Sequence, residues 1–408
     1  MPQEQFDVII VGCGPAGSSC AQFLARGGAK VLMIDKAKFP RDKTCGDAIS
    51  GKSSSILREL DLEKEIESRP HAKIFGVTLS SPNGSIVEIP IAKRKGQQGY
   101  GYCCRRMVFD NLMFEAAKKS ASVVQQFQVT ELIMEENKVV GVKGTDLANN
   151  KKKEFHAKVV VGADGALSIV AKKLGVDEVD PNHYVSATRV YYKNVKGVSD
   201  KIEIHFVEDI MPGYFWIFPL ENGYANVGVG MLFSQIKKRS ISLKDATFDI
   251  IKNNQRFKER FKDAQIAEDI RAWTLPLGSK HRKSAFAGAV LIGDAASLID
   301  PFSGEGVGNA LTSGKIAAET ILEAIAANDF SEAFLQRYED RLRDTLDKEL
   351  QTSYKLQRLG TNRFLLNTII GKAAKKEEVR NVIAHTLTEE TPLKDLVSPI
   401  SLLKMLLA

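Results

Sequence analysis

Residues 6–11, Phe-Asp-Val-Ile-Ile-Val, form a nearly unbroken apolar run. Such a run predicts a strand buried on both faces of a parallel sheet. Pro15 stands where a helix opens and Gly27-Gly28 where it closes. A second apolar run ends at Asp35, and a looser stretch rich in turn formers and charge fills 37–51. The pattern then predicts a helix around 52–68 and a hairpin over 74–90, turning at Pro82-Asn83-Gly84. Helical spacing of apolar residues covers 105–120. Strands follow over 123–161, with a tight turn at Glu136-Asn137 and a polar loop at 145–154. Another buried strand runs into the glycine turn of 159–165.

From 183 to 231 the pattern is strand-rich, and 242–262 reads as helix. Residues 289–327 read as strand, loop and long helix, and everything beyond 330 as helix. There is no internal repeat and no low-complexity tract. One stretch stands out. Tyr214, Trp216 and Phe218 alternate, which points all three to one face of a strand. Pro219 stops the run, and Gly228 and Gly230 remove side chains at alternate positions of the next strand. That combination predicts an aromatic wall beside an empty slot.

Composition narrows the class. The 408 residues are 44% hydrophobic and 26% charged, ordinary for a globular chain of two or three domains. The net charge of +7 suits a lysine-rich surface or an anionic ligand or lipid layer. The basic residues are scattered and no nucleic-acid module is present, so nucleic acid is not an expected partner. Five cysteines without a C-x-x-C and six histidines without ligand spacing exclude a disulfide scaffold and a zinc site. No metal is expected. A reducing, cytoplasmic setting fits. The first strand begins too early for a signal peptide, and no apolar window is long enough to span a membrane.

Gly12, Gly14 and Gly17 make G-x-G-x-x-G between a strand and a helix, with Pro15 and Ala16 at the helix start. Asp35 closes the next strand roughly 20 residues on, where a carboxylate can accept from a ribose. The glycines allow a tight turn and close approach of a pyrophosphate to backbone N–H groups. A second element, Gly293-Asp294 through Gly304, Gly306, Val307 and Gly308, follows a strand and opens a helix. Asp294 is placed to bind a ribityl hydroxyl. A helix N-terminus beside a reduced, anionic isoalloxazine stabilises it, whereas a nicotinamide gains nothing. The two loops together predict FAD.

At this point the chain resembles the FAD-binding family of aromatic hydroxylases, halogenases and geranylgeranyl reductases, over roughly residues 5 to 330. Gly162-Ala163-Asp164-Gly165 is similar to its middle motif, which implies Asp164 near the pyrophosphate. Arg106, before Phe109-Asp110, resembles the arginine the family turns towards the cofactor. The resemblance also implies contacts from Lys36, Ala48 and Val129. Tyr214-x-Trp216-x-Phe218-Pro219 followed by Gly228-x-Gly230 is similar to the geranylgeranyl reductase pattern. So is Cys45-Gly46, whose loop is expected at the flavin's reactive edge. Lys43 and Arg41 add positive potential there, which favours thiolate. Cys13, Cys20, Cys103 and Cys104 are expected to be buried and inert.

The resemblance implies an α/β fold: a Rossmann-like FAD-binding domain (1–73, 101–182 and 283–330), an inserted antiparallel-sheet substrate domain (74–100 and 183–282) and a helical C-terminal region (331–408). It implies reduction of C=C bonds in a polyprenyl chain carried by a lipid or a diphosphate. Hydride would come from flavin N5. The proton has several candidate sources: Cys45, Tyr214, the reduced flavin or a water. Trp216 and Phe218 could stabilise passing positive charge through their faces. The electron donor is NADPH or a ferredoxin-like protein. The rival classes are a flavin monooxygenase or halogenase of the same fold, and an electron-transfer flavoprotein. Residues 396–408 are apolar around one lysine and too short to span a bilayer. They suit either the protein's own core or peripheral contact with the inner face of a membrane. Head group and oligomeric state are open.

Overall fold

The computed structural model describes residues 5–91 and 99–387; the 396–408 segment lies outside them. The apolar runs become the centre of an eight-stranded sheet. Strand Gln5–Val11 pairs in parallel with Val31–Asp35 on one side and Lys151–Gly162 on the other. Ser122–Gln125 and Ala289–Leu291 extend the parallel set outwards. Helix Pro15–Arg26 packs over this sheet against helix Val307–Ala327. Gly314 permits that approach: a methyl group there would sit 2.6 Å from the Ala16 carbonyl oxygen.

A seven-stranded sheet lies beside the first. Strand Tyr184–Lys193 pairs antiparallel with Tyr224–Leu232, which pairs with Tyr214–Pro219. The hairpin expected over 74–90 forms between Gly76–Ser80 and Ile86–Pro90, with Gly84 at φ +90° in its turn. It joins this sheet by a parallel pairing with Lys201–His205. Ala72–Ile74 belongs instead to a three-stranded sheet with Ala48–Ile49 and Gly101–Cys103.

Three sequence expectations shift. The polar loop at 145–154 shrinks, because strands Lys138–Asp146 and Lys151–Gly162 pair almost to their tips. Lys143–Glu154 and Lys153–Asp146 ion pairs, at 2.8 and 2.9 Å, let a polar solvent-side hairpin stay regular. The helix expected over 52–68 is two, Gly51–Glu59 and Glu63–Glu67, broken at Asp61 with φ +61°. The helix over 242–262 is likewise Leu243–Asn253 and Lys258–Phe261. The edge strand Gln265–Pro276 carries no clean alternation and is not signalled by the pattern. Beyond 330 the described chain is helical: Glu332–Leu359, Arg363–Lys375 and Glu377–Leu387.

Candidate active site

One cavity of about 1630 Å³ runs from the glycine turn of the eight-stranded sheet to the aromatic face of the seven-stranded one. Ligand pockets commonly span roughly 300–1,000 Å³, so this space suits a dinucleotide and a second ligand together. Its walls include Gly12, Gly14, Pro15, Ala16, Asp35 and Lys36 at one end. Cys45, Gly46, Ala48, Arg106, Val129 and Asp164 follow along it. Asp294, Gly304, Gly306 and Val307 complete the cofactor-side set, and Tyr214, Trp216, Phe218 and Gly230 stand at the other end. Among the residues expected at the site, Gly17, Gly293, Gly308, Pro219 and Gly228 do not line it.

The glycines of the first turn divide the work. Gly12 has φ +104°, and a methyl group there would overlap the Ala163 carbonyl. At Gly17 a methyl would overlap the Gly12 carbonyl, so this glycine seats the helix on the turn rather than facing a ligand. Gly14 meets only the Arg41 guanidinium, at 3.4 Å, and faces the cavity. Asp35 accepts from the N–H groups of Cys13 and Ala37, both at 2.8 Å. A carboxylate has about four acceptor positions, so capacity remains for a ribose. The helix behind Gly14 and the helix behind Gly306 both open at the cavity without a side-chain bond from the capping residue. Glu305 accepts from the Gly308 N–H at 2.5 Å. That carboxylate caps the second helix, whereas the open N–H groups of the helix behind Gly14 attract anions, and Asp294 lines the same space, its carboxylate without a hydrogen-bond partner among the described residues. These groups fit FAD.

Asp164 has a local structural duty as well. Its carboxylate accepts from Ser168 Oγ at 2.5 Å and from the Ile169 N–H at 2.7 Å. It therefore holds the start of helix Ile169–Lys173 while its position stays on the cavity wall. Burial raises its pKa, against those hydrogen bonds.

The Cys45 loop is pinned by charge. Arg106 grips Asp110 with two bonds, at 2.6 and 2.9 Å, and Arg41 reaches the same carboxylate at 2.5 Å. Burial opposes the Arg106 charge, but Asp110 outweighs it and holds the guanidinium well above its ordinary pKa. Asp110 is fully buried; burial would raise its pKa, and Arg106 and Arg41 pull it below the usual carboxylate range. Cys45 is half-buried, whereas Cys13, Cys20, Cys103 and Cys104 are buried, as expected. Lys43 was read only as a source of positive potential. Its ammonium stands over the Trp273 ring, 4.2 Å from the centroid, and makes no hydrogen bond among the described residues. Burial brings its pKa down to about 8, against the pull of Asp294.

The aromatic wall forms as the alternation predicts. Tyr214 and Trp216 rings lie 6.0 Å apart and Trp216 and Phe218 rings 6.1 Å apart. Phe215 and Ile217 point the other way, into the core with Phe257. The slot is a different matter. A methyl at Gly228 would overlap the Trp216 indole and the Thr188 carbonyl. Gly228 thus makes room for Trp216 itself, not for a ligand. Gly46 does the same for Phe218, whose ring would lie 3.0 Å from an added methyl. Only Gly230 stays open to the cavity, with nothing nearer than 3.7 Å. The Tyr214 hydroxyl donates to the Ser303 carbonyl at 2.8 Å, and burial raises its pKa, so it keeps its proton.

Sequence reasoning missed Asp47. It is buried with φ +66° and accepts from the Tyr191 hydroxyl at 2.7 Å. Burial raises its pKa to about 6, against bonds from Tyr191 and Asn226. The signal available was only an aspartate beside Cys45-Gly46. Among the described residues no cluster of His, Cys, Asp and Glu could hold a metal ion.

Comparison with known proteins agrees with this geometry. The FAD binding domain family matches residues 5–353. A digeranylgeranylglycerophospholipid reductase of Methanococcoides burtonii is 32% identical over 353 residues, covering 85% of this chain and 82% of the relative. Its namesake from Methanosarcina acetivorans is 33% identical over 356 residues, covering 86% and 84%. A geranylgeranyl bacteriochlorophyll reductase-like protein from Thermoplasma acidophilum superposes with a TM-score of 0.83 at 26% identity, over 97% of this chain and 99% of that one. A flavin-dependent brominase shares the fold, with a TM-score of 0.77 at 24% identity over 94% of each chain. Glycine turns, thiol loop, aromatic wall and relatives converge, and the chain belongs to the geranylgeranyl reductase family of FAD-binding proteins.

Proposed function

We propose that this protein is an FAD-dependent reductase that saturates C=C bonds in the polyprenyl chain of an isoprenoid lipid or prenyl diphosphate. The observation that carries this is the continuity of one cavity from Gly14 and Asp294 to Trp216 and Phe218. The cavity continues over Ile202, Ile204 and Phe206, side chains that suit a methyl-branched hydrocarbon. The names of the relatives support the same substrate class.

Held at the glycine turns, reduced flavin would supply hydride from N5. The chain's own groups bind, orient and hold protons. Gly12, Gly14, Pro15, Ala16 and Gly17 present the turn; Asp35 and Lys36 serve the ribose end. Asp294, Gly304, Gly306 and Val307 serve the isoalloxazine end, with Arg106, Ala48 and Val129 along the way. Trp216 and Phe218 offer flat apolar faces that tolerate positive charge on carbon. Tyr214 is bonded to Ser303 and shapes the wall. Cys45 and the Lys43 ammonium are the proton-bearing groups we assign to the reaction space, since both line the cavity.

We assign FAD binding to the eight-stranded sheet and its helices, and the prenyl chain to the seven-stranded sheet. NADPH or a ferredoxin-like protein reduces the flavin. No helix among the described residues is long and apolar enough to cross a membrane. Peripheral contact at a lipid surface follows from the substrate class and the +7 charge. The test is anaerobic turnover of digeranylgeranyl glycerophospholipid with each donor, read by mass spectrometry. Gain of two hydrogens per double bond is expected. Oxygen uptake with an aromatic substrate and no alkene reduction would instead establish the monooxygenase or halogenase reading.

A further inference from the structure

Asn226 lies in the spacer between the aromatic strand and its glycines, where the sequence pattern asks for nothing in particular. Strand register sets it opposite Phe218, as Gly228 is opposite Trp216. The position is fully buried, and a buried amide is costly unless its groups are bonded. Here they are. Asn226 Oδ1 accepts from the Trp216 indole N–H at 2.9 Å. Its Nδ2 donates to the Cys45 carbonyl at 2.7 Å and to the Asp47 carboxylate at 2.8 Å. Asp47 in turn accepts from the Arg106 N–H at 3.2 Å. One side chain therefore joins the middle ring of the wall, the backbone of the half-buried thiol and the start of the arginine helix. These three pieces come from three distant parts of the chain.

We propose that Asn226 is a positioning residue for the reductive site: its amide locks the Trp216 indole and the Cys45 loop into one unit. The inference rests on the reading that both line the reaction space. A small displacement of aligned groups lowers a rate steeply, about 10²-fold per ångström. The lock acts on alignment and not on the apolar surface that binds the prenyl chain. Its loss therefore lowers kcat and leaves KM little changed.

Asn226→Leu keeps the branched shape and removes all three bonds. Asn226→Asp keeps the acceptor for Trp216 but removes the donor to Cys45; two carboxylates so close share one proton, which keeps the link to Asp47. Two readouts serve. Maleimide labelling of the holoenzyme reports on Cys45, since the other four cysteines are buried. In both variants labelling is expected to quicken several-fold with flavin absorbance retained, and kcat to fall about 10²-fold at near-constant KM. Wild-type labelling and kcat in either flavin-loaded variant would overturn the proposal. So would a fall in kcat matched by lost flavin with unchanged labelling, which is a stability effect only. Labelling needs no turnover, so it tests the lock even if the protein reduces no alkene.

Discussion

The indole of Trp216 fills the space that Gly228 leaves empty on the neighbouring strand. A methyl group at 228 would overlap both the ring and the Thr188 backbone, and backbone cannot swing aside. Overpacking of this kind costs about 1–3 kcal/mol. Gly228→Ala is expected to lower the urea midpoint and to displace Trp216, one of only two tryptophans, visibly in fluorescence. Gly230→Ala meets nothing nearer than 3.7 Å and should keep wild-type stability while narrowing the cavity, raising KM for long prenyl chains. Equal stability of the two variants would contradict this division.

The same logic separates two glycines of the first turn. Gly14→Ala has room in the chain itself, so the protein should fold normally but lose flavin absorbance, because the new methyl would narrow the cavity at the turn proposed to hold the pyrophosphate. Gly17→Ala collides with the Gly12 carbonyl and should lower the unfolding temperature as well. Flavin retention by Gly14→Ala would show that the turn does not hold the pyrophosphate.

Asp110 is buried between Arg41 and Arg106. Removing one partner of a buried charge group costs roughly 3–5 kcal/mol. Asp110→Asn is expected to destabilise by about that much and to loosen the Cys45 loop. The carboxyl is held below its unfolded pKa of ~3.9, so its contribution is present above that value and lost as pH falls through the folded one. Acid unfolding of the wild type should therefore be steeper than that of the variant. Coincident acid transitions would remove Asp110 from this account.

What the sequence made legible was whatever obeys a short period. Strand Gln5–Val11 is apolar on both faces because it is covered on both faces. The rings of Tyr214, Trp216 and Phe218 share a face because strands alternate. A missing side chain at 228 was legible too, but not what fills the gap, since only the register with Trp216 decides that. Strand Gln265–Pro276 lies at a sheet edge with charged residues facing water, so it lacks the alternation of a half-buried strand. Asp47, Tyr191 and Asn226 meet only after folding, and no local spacing announces them. Asp164 carries a duty that no motif announces: its position lines the cavity, and its oxygens also hold a helix start.

Lys43 is a half-buried cation on the cavity wall that no ion pair among the described residues neutralises. Its ammonium rests on Trp273 and feels Asp294, but no hydrogen bond among the described residues compensates its lost hydration. Such costs concentrate at functional sites. Burial lowers its pKa to about 8, below the unfolded value of ~10.4. Between those values the unfolded chain binds more protons than the folded one, so stability rises with pH across that window and levels off above it. Below about pH 8 both states carry the charge and the full penalty applies. Lys43→Met should raise the urea midpoint of the flavin-free protein at neutral pH and abolish the rise between about pH 8 and 10. The same substitution should slow alkene reduction, as it removes a proton-bearing group from the reaction space. Parallel stability profiles for wild type and variant would mean that Lys43 is solvated, and that the cavity holds no strained cation for the reaction to use.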